Sequence, residues 1–281
     1  MRTSRVKRRW DSGKAVLATV AHFRDPQSAE LIGLLGFDCL WIDLEHQPTG
    51  MGDAENMIRA ARVADMDVMA RAAKGEFMRA VRLLEAGTNL LMYPRCESAA
   101  EARELVKWTR FPPLGQRGYF SASPDNPYCL TPMADYLRQA NEQTVVLPQI
   151  ESPNAVAAAE EIAEVDGVDM LFFGPGDFSV ISGIPGEFKS ALVRDAMAHT
   201  AKAALRAGKR FGTLVFDLEG AQRALDLGAT LVCYGGDLHF VRQALIRMKE
   251  DFARLGFQFE DKLGHAAPAG SSYAVQQKAA P

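Results

Sequence analysis

The chain has 281 residues, 48% of them apolar and 24% charged, and a net charge of -3. That is enough apolar sequence for one large core, and the charge gives no general attraction to nucleic acid or an anionic membrane. No apolar run approaches a membrane span, a secretory signal is not expected after the basic start "MRTSRVKRRW", and the four cysteines (Cys39, Cys96, Cys129, Cys233) lack CxxC spacing and read as reduced thiols of a cytoplasmic protein.

Residues 1–11 read as a basic N-terminal extension, after which strands and helices alternate. Strands are predicted at 15–20, 39–43, 67–71, 89–94, 144–150, 169–174, 211–215 and 230–235. A helix follows each, at 26–35, 53–64, 76–86, 98–108, 152–164, 189–207, 218–227 and 237–255. Five units repeat one phrase, an amphipathic segment, a glycine, then a short apolar run, as in "RLLEAGTNLLMYP" and "LDLGATLVCYG". The glycine suits a left-handed helix end, and the run suits a strand buried on both faces. Ser98 and Glu101 have capping-box spacing. The insertion 111–143 opens rich in Pro, Gly and Ser and reads as a lid or binding loop. Leu238, Val241, Leu245, Met248, Phe252 and Leu255 form an apolar stripe that could cover the chain's own barrel or a neighbouring subunit. Residues 257–281 show no apolar period and read as a flexible tail. Eight βα units predict an α/β fold, a single (β/α)8 TIM barrel over residues 12–256, and no GxGxxG follows a strand to suggest a dinucleotide fold.

The chemistry of such a barrel lies at the C-terminal ends of its strands. Strand two delivers "IDLEH" with Asp43, Glu45 and His46; strand three ends in Arg71; strand five brings Gln149 and Glu151; strand six brings Gly174, Pro175, Gly176 and Asp177; strand seven ends near Leu214. Glu151 and Asp177 come from adjacent strands, whose axes are ~5 Å apart. Carboxylates that close repel unless a cation lies between them, and their oxygen donors suit Mg²⁺ or Mn²⁺, with Co²⁺ a further choice. A salt-bridged acid and a helix cap would place the same residues there. Arg71 is either a structural ion pair or an anion clamp, and His46 either a loop histidine or a general base. "GPGD" offers backbone N–H groups to an anion, and "YGGD" after strand eight is a weaker candidate phosphate cradle.

Together these segments resemble the HpcH/HpaI family of metal-dependent class II pyruvate aldolases. The family's "IDxEH", strand-ending Arg, "QIE" and "GPxDLS" motifs correspond to "IDLEH" at 42–46, Arg71, "QIE" at 149–151 and "GPGDFS" at 174–179, and "RFPPLGQRG" at 110–118 is similar to its "RYPPxGxRG" loop. The resemblance implies that Glu151 and Asp177 bind a divalent ion chelated by pyruvate. Arg71 would hold the keto oxygen as it becomes an enolate, the amides of Gly176 and Asp177 the carboxylate. His46 would be the acid/base, oriented by Asp43. Where the family has "LLDxGT" this chain has "LLEAGT", so Glu85 takes the place of the acid that partners the histidine from a neighbouring subunit. The resemblance also implies a homotrimer or homohexamer with exchanged C-terminal helices.

The implied activity is a carbon-carbon lyase, an aldolase that reversibly cleaves a 4-hydroxy-2-oxo acid to pyruvate and an aldehyde. Proton removal from pyruvate needs an electron sink, a lysine Schiff base or a Lewis acid. No lysine ends a predicted strand, since Lys74 lies three residues beyond Arg71. An oxaloacetate decarboxylase or macrophomate-synthase-like enzyme would use the same enolate, and a non-catalytic metal- or oxoacid-binding barrel is the alternative of another class. Aldehyde choice falls to the loops 20–25, 111–130 and 214–217, where Phe23, Tyr119, Phe120 and Leu214 are apolar while Arg24, Arg95 and Arg117 could receive a distal carboxylate.

Overall fold

A predominantly apolar strand can be buried on both faces, and in the computed structural model eight short strands close into a parallel barrel in sequence order. The structure describes residues 1–260; the tail expectation beyond residue 260 lies outside the described residues. In chain order the elements are α1 (Arg5–Asp11), β1 (Val16–Ala21), α2 (Pro26–Leu34), β2 (Cys39–Asp43), α3 (Met51–Val63), β3 (Asp67–Arg71), α4 (Phe77–Ala86), β4 (Leu90–Tyr93), α5 (Ala99–Thr109) and α6 (Met133–Gln143). They continue with β5 (Val145–Ile150), α7 (Pro153–Ala157), α8 (Ala159–Ala163), β6 (Met170–Phe173), α9 (Pro175–Ile181), α10 (Ala191–Arg206), β7 (Arg210–Val215), α11 (Leu218–Asp226), β8 (Ala229–Gly236) and α12 (Asp237–Ala253).

All eight predicted strands form, β2 and β3 with the predicted limits. The helix predicted at 152–164 is broken at Ala158 into α7 and α8. Three helices were not expected. α1 carries few apolar residues, α6 is masked by the Pro-rich sequence before it, and α9 starts with Pro175 directly after a strand. At the start of α5, Ser98 Oγ accepts from Glu101 N (3.3 Å), whereas the Glu101 carboxylate takes the N–H of Glu97 (3.0 Å), so only half of the expected box is made.

The two-residue pleat sorts each strand. Val16, Ala18, Cys39, Trp41, Met69 and Leu147 belong to the cluster that fills the barrel, while Leu40, Ile42, Val68, Ala70, Val146 and Phe173 pack beneath the helices. Continuing the inward set by one step puts Asp43, Arg71 and Gln149 at the C-terminal mouth, with Glu151 one step further. Three cysteines, Cys39, Cys96 and Cys233, are buried, and all four are free thiols.

The basic residues read as an extension close the opposite end of the barrel. Val6 and Trp10 of α1 join the interior cluster, and Trp10 Nε1 donates to Thr230 O (2.8 Å) beneath the Arg210 guanidinium, 4.4 Å from the ring centroid. The N–H of Val6 and the hydroxyl of Ser4 donate to Asp67 Oδ2 (2.9 and 2.5 Å). Arg2 pairs with Asp67, and Arg5 and Arg9 with Asp38 (2.7 and 2.9 Å). These positive charges answer acids at the start of β3 and just before β2.

In α12 the buried residues are Asp237 and His239. Every residue of the predicted stripe is at least 42% exposed, so the stripe does not cover this chain's own barrel.

Replacing Trp10 by alanine removes a side chain only 6% exposed and should destabilise the chain by ~3–5 kcal/mol. Urea unfolding followed by far-UV circular dichroism would show this as a lowered midpoint; an unchanged midpoint would mean that α1 does not support the barrel.

Candidate active site

The mouth is organised around a buried ion pair. Asp43 and Arg71 are register partners at the ends of β2 and β3. Arg71 Nε and Nη2 donate to Asp43 Oδ1 and Oδ2, both at 2.9 Å, the two-pronged geometry that a guanidinium and a carboxylate favour. Arg71 Nη1 donates to Gln149 Oε1 (3.2 Å), and the guanidinium carbon lies 4.9 Å from the centroid of the Trp41 ring. Glu45 Oε2 approaches Arg71 Nε to 3.2 Å. Burial works to raise the Asp43 pKa, but the hydrogen bond and charge of Arg71 outweigh it and hold the carboxyl below its ordinary value. Arg71 is correspondingly raised: burial opposes its charge and Asp43 more than restores it.

Glu151 is 1% exposed. Its Oε1 accepts the backbone N–H of Arg95 (2.8 Å). Burial first, and then the charge of Asp177, push its carboxyl up to about 8 against the opposing pull of the Arg95 N–H and Arg71. Gly174 makes room for it: a Cβ there would lie 2.6 Å from Glu151 Oε2 and 2.7 Å from Gln149 Nε2. Asp177 stands half-buried in the first turn of α9, two residues after Pro175 and next to Gly176, where no Cβ contact would obstruct an approaching group. Among the described residues no group of three or more His, Cys, Asp or Glu side chains forms a complete metal shell. The Glu151–Asp177 pair nevertheless fits a hard divalent ion that keeps waters and substrate oxygens among its ligands. A carboxyl pushed up to about 8 by burial, and then by a neighbouring acid, is one whose charged form a cation beside it would favour.

His46 lies on the rim with its side chain 51% exposed. Its backbone N–H, like that of Glu45, donates to Asp43 (3.4 and 3.0 Å), but its ring Nε2 is 3.7 Å from Glu45 Oε2. Asp43 thus fixes the segment that carries His46, and the carboxylate facing the ring is Glu45, an interaction the motif reading assigned to Asp43. Leu214 of β7 packs half-buried against the interior cluster. Glu85 lies apart on α4: burial raises its pKa, reinforced by Asp125 and opposed by Arg117 and Arg82, and its carbonyl accepts the N–H of Asp125 (3.2 Å). Within this chain Glu85 is tied by its carbonyl to Asp125 of the 111–130 loop.

The candidate carboxylate receivers divide. Arg117 is 4% exposed, lies 4.7 Å from the centroid of Phe111 and donates to Tyr136 Oη (3.4 Å), so it is a strut inside the insertion. Arg24 donates to Pro48 O (3.0 Å), and Arg95 lies 3.8 Å from Glu45. Lys74 is held by Arg95 O (2.8 Å) and Glu101 (2.9 Å). The phosphate reading of "YGGD" is disfavoured, because buried Asp237 brings a negative charge to this turn and its carboxylate accepts the N–H groups of His22, Phe23 and Leu238.

The HpcH/HpaI aldolase/citrate lyase family profile matches residues 21–244. The chain is 36% identical over 254 residues to the hydroxypyruvate/pyruvate aldolase of Delftia acidovorans, covering 90% of this chain and 92% of that one. It is 36% identical to the 4-hydroxy-2-oxo-heptane-1,7-dioate aldolase of Shigella sonnei, covering 77% of this chain and 82% of that one. Among solved structures, a HpcH/HpaI aldolase/citrate lyase family protein from Burkholderia cenocepacia superposes with a TM-score of 0.83 at 29% identity, over 89% of this chain and 100% of that one.

Because the folded pKa of Asp43 lies below its ordinary value, its stabilisation is complete above about pH 4 and fades as the pH falls through the folded value. Arg71→Gln leaves a buried carboxylate without its cation and should cost ~3–5 kcal/mol at neutral pH. Without the guanidinium, burial holds the Asp43 carboxyl above its ordinary value instead of below it, so the penalty is largest at neutral pH and shrinks as the pH falls and the carboxyl takes up a proton. Thermal melts between pH 3 and 7 should show the gap between variant and parent narrowing toward low pH.

Proposed function

The chain belongs to the HpcH/HpaI aldolase/citrate lyase family, and on that premise we propose that it is a divalent-metal-dependent aldolase that reversibly joins pyruvate to an aldehyde, giving a 4-hydroxy-2-oxo acid. The observation that carries this reading is the buried Glu151, raised to about 8 beside Asp177 and within the field of Arg71.

Glu151 and Asp177 would hold the ion, Mg²⁺ or Mn²⁺ by their oxygen donors, with Co²⁺ a further candidate. When bound, the ion supplies Lewis acidity to the oxygens of a 2-oxo acid. Arg71, fixed by Asp43 and braced on Trp41, presents its charge to the keto oxygen as it gains negative charge, with no reorientation at that moment. Gln149 steadies the guanidinium from the other side. The backbone N–H groups of Gly176 and Asp177, at the open start of α9, suit the pyruvate carboxylate, and Gly174 and Pro175 shape the turn that presents them. His46, half-exposed and faced by Glu45, moves the proton to or from the aldehyde oxygen. Leu214 lends an apolar wall. Lys74, already tied to Arg95 and Glu101, is poorly placed to form a Schiff base.

The exposed stripe of α12 supports assembly into a homotrimer or homohexamer, in which Glu85 would face a neighbour's histidine. Three buried free thiols support a cytoplasmic location.

The test is exchange of the pyruvate methyl protons in D₂O, followed by NMR, with EDTA-stripped protein and again after adding Mg²⁺ or Mn²⁺. Exchange that appears only with metal is expected, and Glu151→Gln or Asp177→Asn should abolish it. His46→Ala should keep metal binding and slow the aldol step by ~10²–10⁴-fold. Absence of exchange with every divalent ion would sink the reading.

A further inference from the structure

In the closed strand order β1 stands opposite β5, so a substrate anchored at Glu151 faces β1 across the mouth. The inward pleat of β1 runs Val16, Ala18 and Val20 and therefore reaches His22 at the rim. Ala21 pairs with Ile42, and Asp43 with Arg71; one more step along that ladder brings His22 level with Asp43, on the row that also carries Arg71.

Two residues from the end of β8 and the start of α12 build the position of this ring. The backbone N–H of His22 donates to Asp237 Oδ1 (2.7 Å), and its Nδ1 lies 3.3 Å from the same oxygen. Asp237 is 5% exposed and also accepts from Phe23 N (3.1 Å) and Leu238 N (2.7 Å). Burial works to raise its pKa, but the His22 ring and these N–H groups hold it below the ordinary value, so it meets Nδ1 as a carboxylate. Gly236 has an extended backbone that any residue adopts, yet a Cβ on it would lie 2.4 Å from His22 Cε1 and 2.5 Å from Nδ1. That Cβ would also lie 2.8 Å from Val20 O, so the imidazole and the β1 backbone together require the glycine.

A carboxylate at Nδ1 selects the Nδ1–H tautomer of the neutral ring and makes Nε2 an acceptor. Asp237, Asp43 and Glu45 all lie on this side of the mouth; of the cations near them, Arg71 is already shared with Asp43 and Glu45 and Arg24 is turned to Pro48 O. A second carboxylate arriving here would meet like charge; a hydroxyl could donate to Nε2. We propose that His22, positioned by Asp237 and admitted by Gly236, recognises a hydroxyl group on the aldehyde acceptor, so that the enzyme selects hydroxylated aldehydes. The proposal rests on the aldolase reading above.

The experiment compares kcat/KM for glycolaldehyde, acetaldehyde and succinic semialdehyde, with pyruvate and the Mn²⁺-loaded enzyme, in the parent, His22→Ala and Gly236→Ala. The preference for glycolaldehyde over acetaldehyde should fall by about 10-fold in His22→Ala. It should fall in the same direction in Gly236→Ala, which crowds the ring and the Val20 carbonyl without deleting the imidazole. Imidazole ¹⁵N spectra of the parent should show His22 as the Nδ1–H tautomer, with an Nε2 signal that moves on adding glycolaldehyde and not acetaldehyde. Equal losses for all three aldehydes would reduce His22 to a structural role and overturn the proposal, as would a loss confined to succinic semialdehyde, which would assign a carboxylate instead. A His22 signal indifferent to glycolaldehyde overturns it without reference to any variant. A parent that never exchanges pyruvate protons removes the aldolase reading and this proposal together, whereas exchange with an unaltered aldehyde preference in both variants removes this proposal alone.

Discussion

The buried pairing of Arg71 with Asp43 is the constraint on which the rest of the mouth depends. A guanidinium at the end of an interior strand can be tolerated only if its charge is answered within hydrogen-bond reach, and Asp43 does so with two parallel contacts. The same carboxylate accepts the N–H groups of Glu45 and His46, so the pair also shapes the turn that carries the histidine. It has an electrostatic consequence at β5 as well. Arg71 draws the pKa of Glu151 down, but burial and the charge of Asp177 outweigh that pull, so the carboxyl stays raised beside a fixed guanidinium.

The insertion between α5 and β5 is more rigid than its composition suggests. Arg110, 2% exposed, donates to Thr144 O and Gly167 O (both 3.2 Å), tying the start of the insertion to its end. Tyr136 of α6 donates to Asp125 (2.9 Å) and packs edge-on against Phe111. Tyr119 and Phe120, more than a third exposed, therefore extend from a fixed base.

Much of this was legible in the sequence because two simple periods carry it. A buried strand has period two, so once 39–43 and 67–71 are recognised as strands, Asp43 and Arg71 must face the mouth, and Gln149 and Glu151 follow from β5 in the same way. What escaped depends on contacts between distant segments. The His22–Asp237 pair joins β1 to β8 across a register shift between Ala18 and Val20, and no local pattern announces it; its trace in the sequence is the second glycine of "YGGD", which a phosphate reading explains equally well. The facing of His46 by Glu45 was hidden because "IDLEH" offers two acids and spacing alone does not choose between them. Arg117 looked available because α6, which covers it, follows a run of prolines and serines. The docking of α1 was hidden by its charge: the acids that receive its arginines, Asp38 and Asp65, lie some thirty to sixty residues away.

The seating of Trp10 ties the first-made part of the chain to the last strand. Its indole N–H reaches a carbonyl 220 residues later, and Asp67 is shielded by residues that emerge from the ribosome well before it. Until β8 arrives, α1 has no complete socket, and a partial barrel exposes both an indole and strand edges. Loop closure over such a separation is slow and entropically costly. The floor of the barrel is therefore completed only when the last strand is in place: a chain truncated before residue 230 lacks the carbonyl that receives the Trp10 indole, and leaves α1 without its full socket.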